Sequence, residues 1–239
     1  MGYCKTYENP KIHAVTGETI RPGGFALTDR AVEYCCFAAG AKVLDVGCGL
    51  GATVEYLVDK YRLDALGIDP SPLLLARKQG LRPELRLLEG RAEELPLEDG
   101  TVDGIICECS FSLLEDQERA LAEFRRVLKD KGRLIITDMY VRHPLPAKGR
   151  RHRDIKSCLT GARPVPEFIE LVQEGGFELL LWEDHTRYLA ELTAKLILSD
   201  FPLEEFFPCS PGSPGRAGPE AAVKAARMGY FLLIARKKG

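Results

Sequence analysis

Between residues 41 and 140, short apolar runs alternate with stretches in which apolar residues recur every three or four positions. Alternation of this kind predicts repeated β-α-β units: a mostly parallel sheet with helices on both faces. Strands are expected at AKVLDV (41 to 46), DALGID (64 to 69), ELRLLE (84 to 89), VDGIICE (102 to 108) and GRLIITDMY (132 to 140). The helices between them fall near 51 to 60, 71 to 79 and 116 to 129. In the last of these, Ala120, Leu121, Phe124, Val127 and Leu128 share one face, while Glu123, Arg125, Arg126 and Lys129 point elsewhere. The cations and glycine of KDKG then predict its end.

After Tyr140 the pattern breaks. VRHPLPAKGRRHR is basic and interrupted by Pro and Gly, which predicts an exposed loop. A helix PEFIELVQEGG follows, with Pro166 near its start and Gly175-Gly176 at its end, then the strand FELLLWED and a helix over 186 to 199. FPLEEFFPCSPGSPGRAGPE (201 to 220) is too rich in Pro and Gly for a regular element. GYFLLIARKK supplies a final strand.

Composition narrows the class of partner. The 239 residues carry a formal net charge of -2 with both signs interleaved, so nothing in the overall charge calls for nucleic acid or an anionic membrane. The longest apolar runs fall far short of the roughly 20 residues that span a bilayer, and the N-terminus shows no basic region followed by an apolar one. A cytoplasmic protein with a small-molecule partner is expected. The eight cysteines show no zinc spacing, so each is read first as a small buried hydrophobe.

The densest chemical signal is DVGCGLG, 45 to 51, at the end of the first strand. A glycine-rich turn between strand and helix lets a ligand approach the backbone closely, and Asp69 at the end of the second strand is placed to hold a ribose diol. Residues 47 to 52 also fit a dinucleotide pattern. Asp45 discriminates: a carboxylate at the strand tip repels a pyrophosphate and favours a ligand bearing an ammonium group.

Here the chain resembles a known family. VLDVGCGLG is similar to the first motif of class I S-adenosylmethionine-dependent methyltransferases, GIDPS to their second-strand acidic motif, GRAEELPLEDGTVDGIICE to the stretch from the adenine-contacting turn to the fourth strand, and EFRRVLKDKGRLIITD to the next helix and strand. The resemblance covers roughly 40 to 140 and implies an α/β, Rossmann-like fold. Its sheet would be seven-stranded and mostly parallel, with helices on both faces and an antiparallel last strand. It implies one methyltransferase domain over 1 to 239, with a cap segment (1 to 40), a cofactor-binding core (41 to 140) and a C-terminal part (141 to 239) completing the sheet and pocket. It further implies that Asp45, Gly47, Cys48 and Gly49 form the methionine end of the S-adenosylmethionine site, that Asp69 holds the ribose, and that Pro70, Arg91 and the backbone near Ala92 flank the adenine. Arg91 departs from the usual acceptor at its position, since a guanidinium accepts no hydrogen bond; Glu93 or a backbone carbonyl would then serve.

The acceptor is read from less standard segments. Glu108, in CECSFS at the fourth strand tip, is a candidate to deprotonate or orient an acceptor and to touch the cofactor, or else a solvated strand-end charge. His143 is a candidate general base; His13, His152 and His185 read as surface or structural residues. Arg21 is either a surface cation or a partner for the cofactor carboxylate, and Thr28 is the expected cap of the helix before the first strand, which also buries Cys35 and Cys36. SCLTGA followed by PEFIELVQEGGF resembles a stretch of arsenite methyltransferases, which makes Cys158, with Cys209 and with Cys107 or Cys109, candidate ligands for a thiophilic acceptor. An NAD-dependent oxidoreductase and a non-catalytic cofactor-binding protein are the alternatives.

Overall fold

The computed structural model describes residues 5–142, 158–201 and 228–239. The central strands of the sheet carry apolar residues on both faces, and each alternate set meets its own layer of helices. The strands are β1 (Lys42–Val46), β2 (Asp64–Asp69), β3 (Arg86–Glu89), β4 (Val102–Glu108), β5 (Leu128–Val141), a two-residue β6 (Arg163–Pro164), β7 (Phe177–Asp184) and β8 (Met228–Lys237). The helices are α1 (Pro10–Thr16), α2 (Ala26–Cys35), α3 (Ala52–Tyr61), α4 (Pro72–Gln79), α5 (Gln117–Val127), α6 (Cys158–Gly161), α7 (Val165–Glu174) and α8 (Thr186–Leu198). Leu44, Ile105, Leu134 and Leu233 point to one face and pack with Leu121, Phe124, Phe168 and Val172 of α5 and α7. Their neighbours Val43, Ile106, Ile135 and Ile234 point to the other, against α2, α3 and Leu75 of α4.

The strand order is β3-β2-β1-β4-β5-β8-β7. Strands β1 to β5 pair in parallel, β8 runs antiparallel between β5 and β7, and β6 adds a short parallel bridge at Tyr140 and Val141. The chain winds outward in one direction from β1 to β3 and in the other from β4, so the strand order reverses between β1 and β4. The carboxyl ends of these two strands open a crevice, the usual place for a ligand in such sheets.

Caps fix the helices on the crevice side. Ser71 accepts from the Leu74 N–H at the start of α4, with Pro72 in the first helical position, and Asp116 accepts from the Arg119 N–H at the start of α5. Two expectations are corrected. The helix before KDKG ends at Val127, and Leu128 is already extended and paired with Val102, because strand pairing overrides the local helix signal. Thr28 lies inside α2 rather than at its cap, and Cys36, beyond the end of that helix, is exposed with a left-handed backbone.

A third apolar cluster lies over the carboxyl end of β5 and the adjoining amino end of β8. Met139, Val141, Met228 and Tyr230 pack there with Ile12 of α1, Leu189, Leu192 and Leu196 of α8, and Cys158. Among the described residues no helix is long and apolar enough to cross a membrane.

Candidate functional site

The glycine turn after β1 is held by its own N–H groups. Gly47 and Cys48 both donate to the Ile68 carbonyl (2.8 and 3.1 Å), and Gly49 donates to Asp69 Oδ2 (2.8 Å). The other oxygen of Asp69 accepts from the Ser71 N–H (2.8 Å), so one buried carboxylate ties the turn to the start of α4. Burial pushes the Asp69 carboxyl up, against the pull of these two N–H groups. Gly47 has a φ of +77°, and a Cβ there would lie 2.4 Å from Cβ of Ser110, so the turn packs directly on the tip of β4. A Cβ at Gly49 would meet nothing, which leaves that backbone open to the crevice.

One continuous cleft runs along these strand ends. Its walls include Gly47, Cys48, Gly49, Asp69, Pro70, Arg91, Ala92, Glu108 and Cys109, all singled out in the sequence. Asp45 stands apart from this group. It lies buried behind the glycine turn, where Oδ2 has no hydrogen-bond partner, and burial with the nearby Glu108 charge raises its pKa while Arg21 draws it down. The Cys48 thiol points into the protein, since a Cβ at Gly67 would lie 2.7 Å from its sulfur, and burial pushes its pKa up, so it fills space.

Glu108 is more tightly held than a strand-end charge. Thr28 Oγ1 donates to Oε1 (2.8 Å), Thr53 Oγ1 donates to Oε2 (2.9 Å), and the Arg21 guanidinium pairs with Oε2 (3.1 Å). Arg21 also donates to the Thr28 hydroxyl and the Gly24 carbonyl, and only 10% of its side chain is exposed, which corrects the surface reading. A carboxylate serving three donors is employed as an anchor rather than as a free base. The anchor fixes the N-terminal segment over the cleft, together with Glu8 on Ser71 (2.7 Å) and Glu18 on Lys78 (3.1 Å).

Arg91 is held by Glu115 (3.1 Å) and lies near Glu93 (3.7 Å), while Oε1 of Glu93 accepts from the Glu115 N–H. Cys109 follows Glu108 with a left-handed φ of 55°, its N–H donating to the Thr137 carbonyl. Its thiol packs on the apolar cluster that holds Cys158, although Cys158 itself does not reach the cleft. That approach depends on Gly161, where a Cβ would lie 1.7 Å from the Ser112 carbonyl oxygen. Burial raises the pKa of both Cys107 and Cys109. His143 and Cys209 lie outside the described residues. No group of three or more metal-ligating side chains forms among those described.

The sequence reading missed Thr28, Thr53 and His13. The first two act across long chain separations and carry no local signal; His13 lines the cleft from α1, and its burial was not visible in the sequence.

Residues 44–136 match the family described as a methyltransferase domain. This stretch is similar to a methyltransferase domain. The chain around it is 28% identical over 194 residues to phosphoethanolamine N-methyltransferase 3 of Arabidopsis thaliana (78% of this chain, 39% of that one). It is 26% identical over 179 residues to the arsenite methyltransferase of Halobacterium salinarum (70% and 46%). The chain spans about half or less of the length of three of the curated relatives it matches (51%, 39% and 42%). Among solved structures, the cyclase SpnF superposes with a TM-score of 0.75 at 26% identity, covering 98% of this chain and 94% of that one. A Haemonchus contortus phosphoethanolamine N-methyltransferase 2 bound to S-adenosylhomocysteine superposes at 0.74 with 18% identity (95% and 56%). The chain therefore carries the Rossmann-like fold of the class I enzymes, completed here by β7 and β8.

Proposed function

We propose that this chain transfers a methyl group from S-adenosylmethionine to a small-molecule acceptor. The observation that carries the reading is the state of the glycine turn. Its N–H groups at 47, 48 and 49 are committed to the Ile68 carbonyl and Asp69, and a carboxylate lies behind them, so the turn offers no nest for a pyrophosphate. The same carboxylates suit a cofactor that bears an ammonium and a sulfonium and lacks phosphate. Asp69 would keep lone pairs for ribose hydroxyls, the backbone at Ala92 and the Pro70 ring would border the adenine, and the open backbone at Gly49 would leave room for the methionine end. When bound, the cofactor supplies an electrophilic methyl group.

Calorimetry tests this directly. S-adenosylhomocysteine is expected to bind and NAD to show no heat; the reverse would reject the assignment. Because the cyclase SpnF shares the fold, turnover of labelled methyl groups is the measurement that separates methyl transfer from other chemistry in this cleft.

A second reading concerns the acceptor. Cys109 and Cys158 share one apolar cluster at the β4 tip, and the Halobacterium relative is an arsenite methyltransferase, so a thiophilic trivalent metalloid fits this end of the site. Cys158→Ser is expected to abolish binding of trivalent arsenic while sparing S-adenosylhomocysteine, and unchanged arsenic affinity would remove this reading.

A further inference from the structure

Among the described residues only two buried side-chain polar atoms lack a hydrogen-bond partner, His13 Nδ1 and Asp45 Oδ2. His13 lines the cleft, and Asp45 sits behind the cleft's glycine turn. A buried acceptor left unsatisfied is costly, so each of these atoms marks a place where a donor from a ligand belongs. The methyl-transfer reading already accounts for Asp45, next to the ammonium end of the cofactor. His13 has no such account.

The tautomer of His13 follows from its partner. Nε2 lies 2.9 Å from the Tyr7 carbonyl, which only accepts, so the neutral ring carries its proton on Nε2. Nδ1 is buried and its lone pair meets no hydrogen-bond donor. The ring is fixed from both sides: Ile12, beside it, packs into the cluster under α8, and the Tyr7 carbonyl holds Nε2. The titratable groups sharing this end of the cleft are Tyr7, Glu18 and Arg21 from the N-terminal segment and Glu108 and Cys109 from β4; α8, packed on α1, brings Tyr188 to the same cluster. Arg21 and Glu108 are committed to each other, and burial keeps the Cys109 thiol protonated. Of these groups, His13 alone pairs a fixed proton donor with a vacant acceptor.

We infer that His13 is the general base of the reaction and that the acceptor is therefore a protic nucleophile: an amine, hydroxyl or thiol whose hydrogen points at Nδ1. This rests on the methyl-transfer reading. The nucleophile's lone pair forms the bond to the methyl carbon as the carbon–sulfur bond breaks, and the electron pair of that bond stays on sulfur. The nucleophile's proton passes to Nδ1, and the imidazolium keeps its Nε2–H on the Tyr7 carbonyl until it releases the extra proton to water. Nδ1 is covered in this structure, so the acceptor reaches it only as α1 moves off the cleft.

His13→Gln is the informative variant, because the Gln amide reproduces the donor to Tyr7 and has nothing in place of Nδ1. Nitrogen NMR on histidine-labelled protein is expected to show His13 as the Nε2–H tautomer; an Nδ1–H tautomer would overturn the inference whatever the acceptor. With labelled S-adenosylmethionine and ethanolamine phosphate, sarcosine and 2-mercaptoethanol as probe acceptors, kcat of His13→Gln should fall at least about 100-fold, the low end for a lost general base. The acid limb of the wild-type pH profile should vanish with it, while S-adenosylhomocysteine binds within twofold of wild type. Unchanged kcat, or turnover of trivalent arsenic with none of the protic probes, would reject the role of His13. A wild-type chain that binds no S-adenosylhomocysteine would instead reject the underlying methyl-transfer reading. If His13→Gln does not fold, His13→Asn, whose amide accepts a hydrogen bond but is no base, should bind S-adenosylhomocysteine within twofold of wild type and lose the rate to the same extent; a wild-type rate in His13→Asn would reject the role.

Discussion

Arg21 and Glu108 meet inside the protein, and removing one partner of a buried pair leaves the other charge uncompensated. Arg21→Met should therefore lower the unfolding free energy by about 3 kcal/mol, read from denaturant titration. Adding Glu108→Gln should recover part of that loss, and full additivity of the two changes would show that they are not coupled. Asp138 offers a second single-residue test. It accepts from the Ser112 N–H and hydroxyl and from the Met139 N–H, yet burial outweighs these donors and pushes its pKa up to about 6. Because the folded state then holds a proton that the unfolded chain has already released, this residue's contribution falls as pH rises from about 4 to about 6. The full span is roughly 3 kcal/mol for a two-unit shift. Carboxyl-carbon NMR should find its midpoint near 6, and a midpoint near 4 would refute the burial argument.

At the scale of elements, the sequence made the β-α-β alternation and the cleft's glycine, Asp69 and Ala92 legible, because each is written in neighbouring residues or in a motif of fixed spacing. Thr28 and Thr53 were illegible for the opposite reason: their function is a bond to a strand tip far along the chain, and a threonine in a helix gives no local sign of it. The α5–β5 junction shows the same competition, with KDKG reading as a helix end while pairing to β4 claims Leu128 for the strand. Gly161 belongs here too. The α6 turn lies against the short helical turn Phe111–Leu113, and the Gly161 approach to the Ser112 carbonyl brings Cys158 beside Cys109. Gly161→Ala cannot be accommodated without moving backbone, so it should cost at least the 1–3 kcal/mol typical of overpacking. It should also change cysteine labelling at 158 and leave the β1–β4 cleft intact. Wild-type stability and labelling in the variant would contradict the packing.

For the whole molecule, a ligand that binds only the folded state raises stability by mass action. At a hundredfold excess over its dissociation constant, S-adenosylhomocysteine should add about 2.7 kcal/mol, a rise of roughly 5–10 °C in melting temperature for a chain of this size. NAD at the same concentration should leave the melting temperature unchanged. The strand order carries a different consequence. Strand β8 is antiparallel and lies between β5 and β7, and the two described ladders that involve β7 and the far edge of β5 are both made to it. During synthesis, β5 and β7 leave the ribosome before the strand that joins them. Until Met228–Lys237 emerges, the nascent chain holds two unpaired edges and an uncovered apolar strip, an open template for pairing with another chain. The order of translation thus makes the final stretch of the sheet the step at which a chaperone would have most to protect.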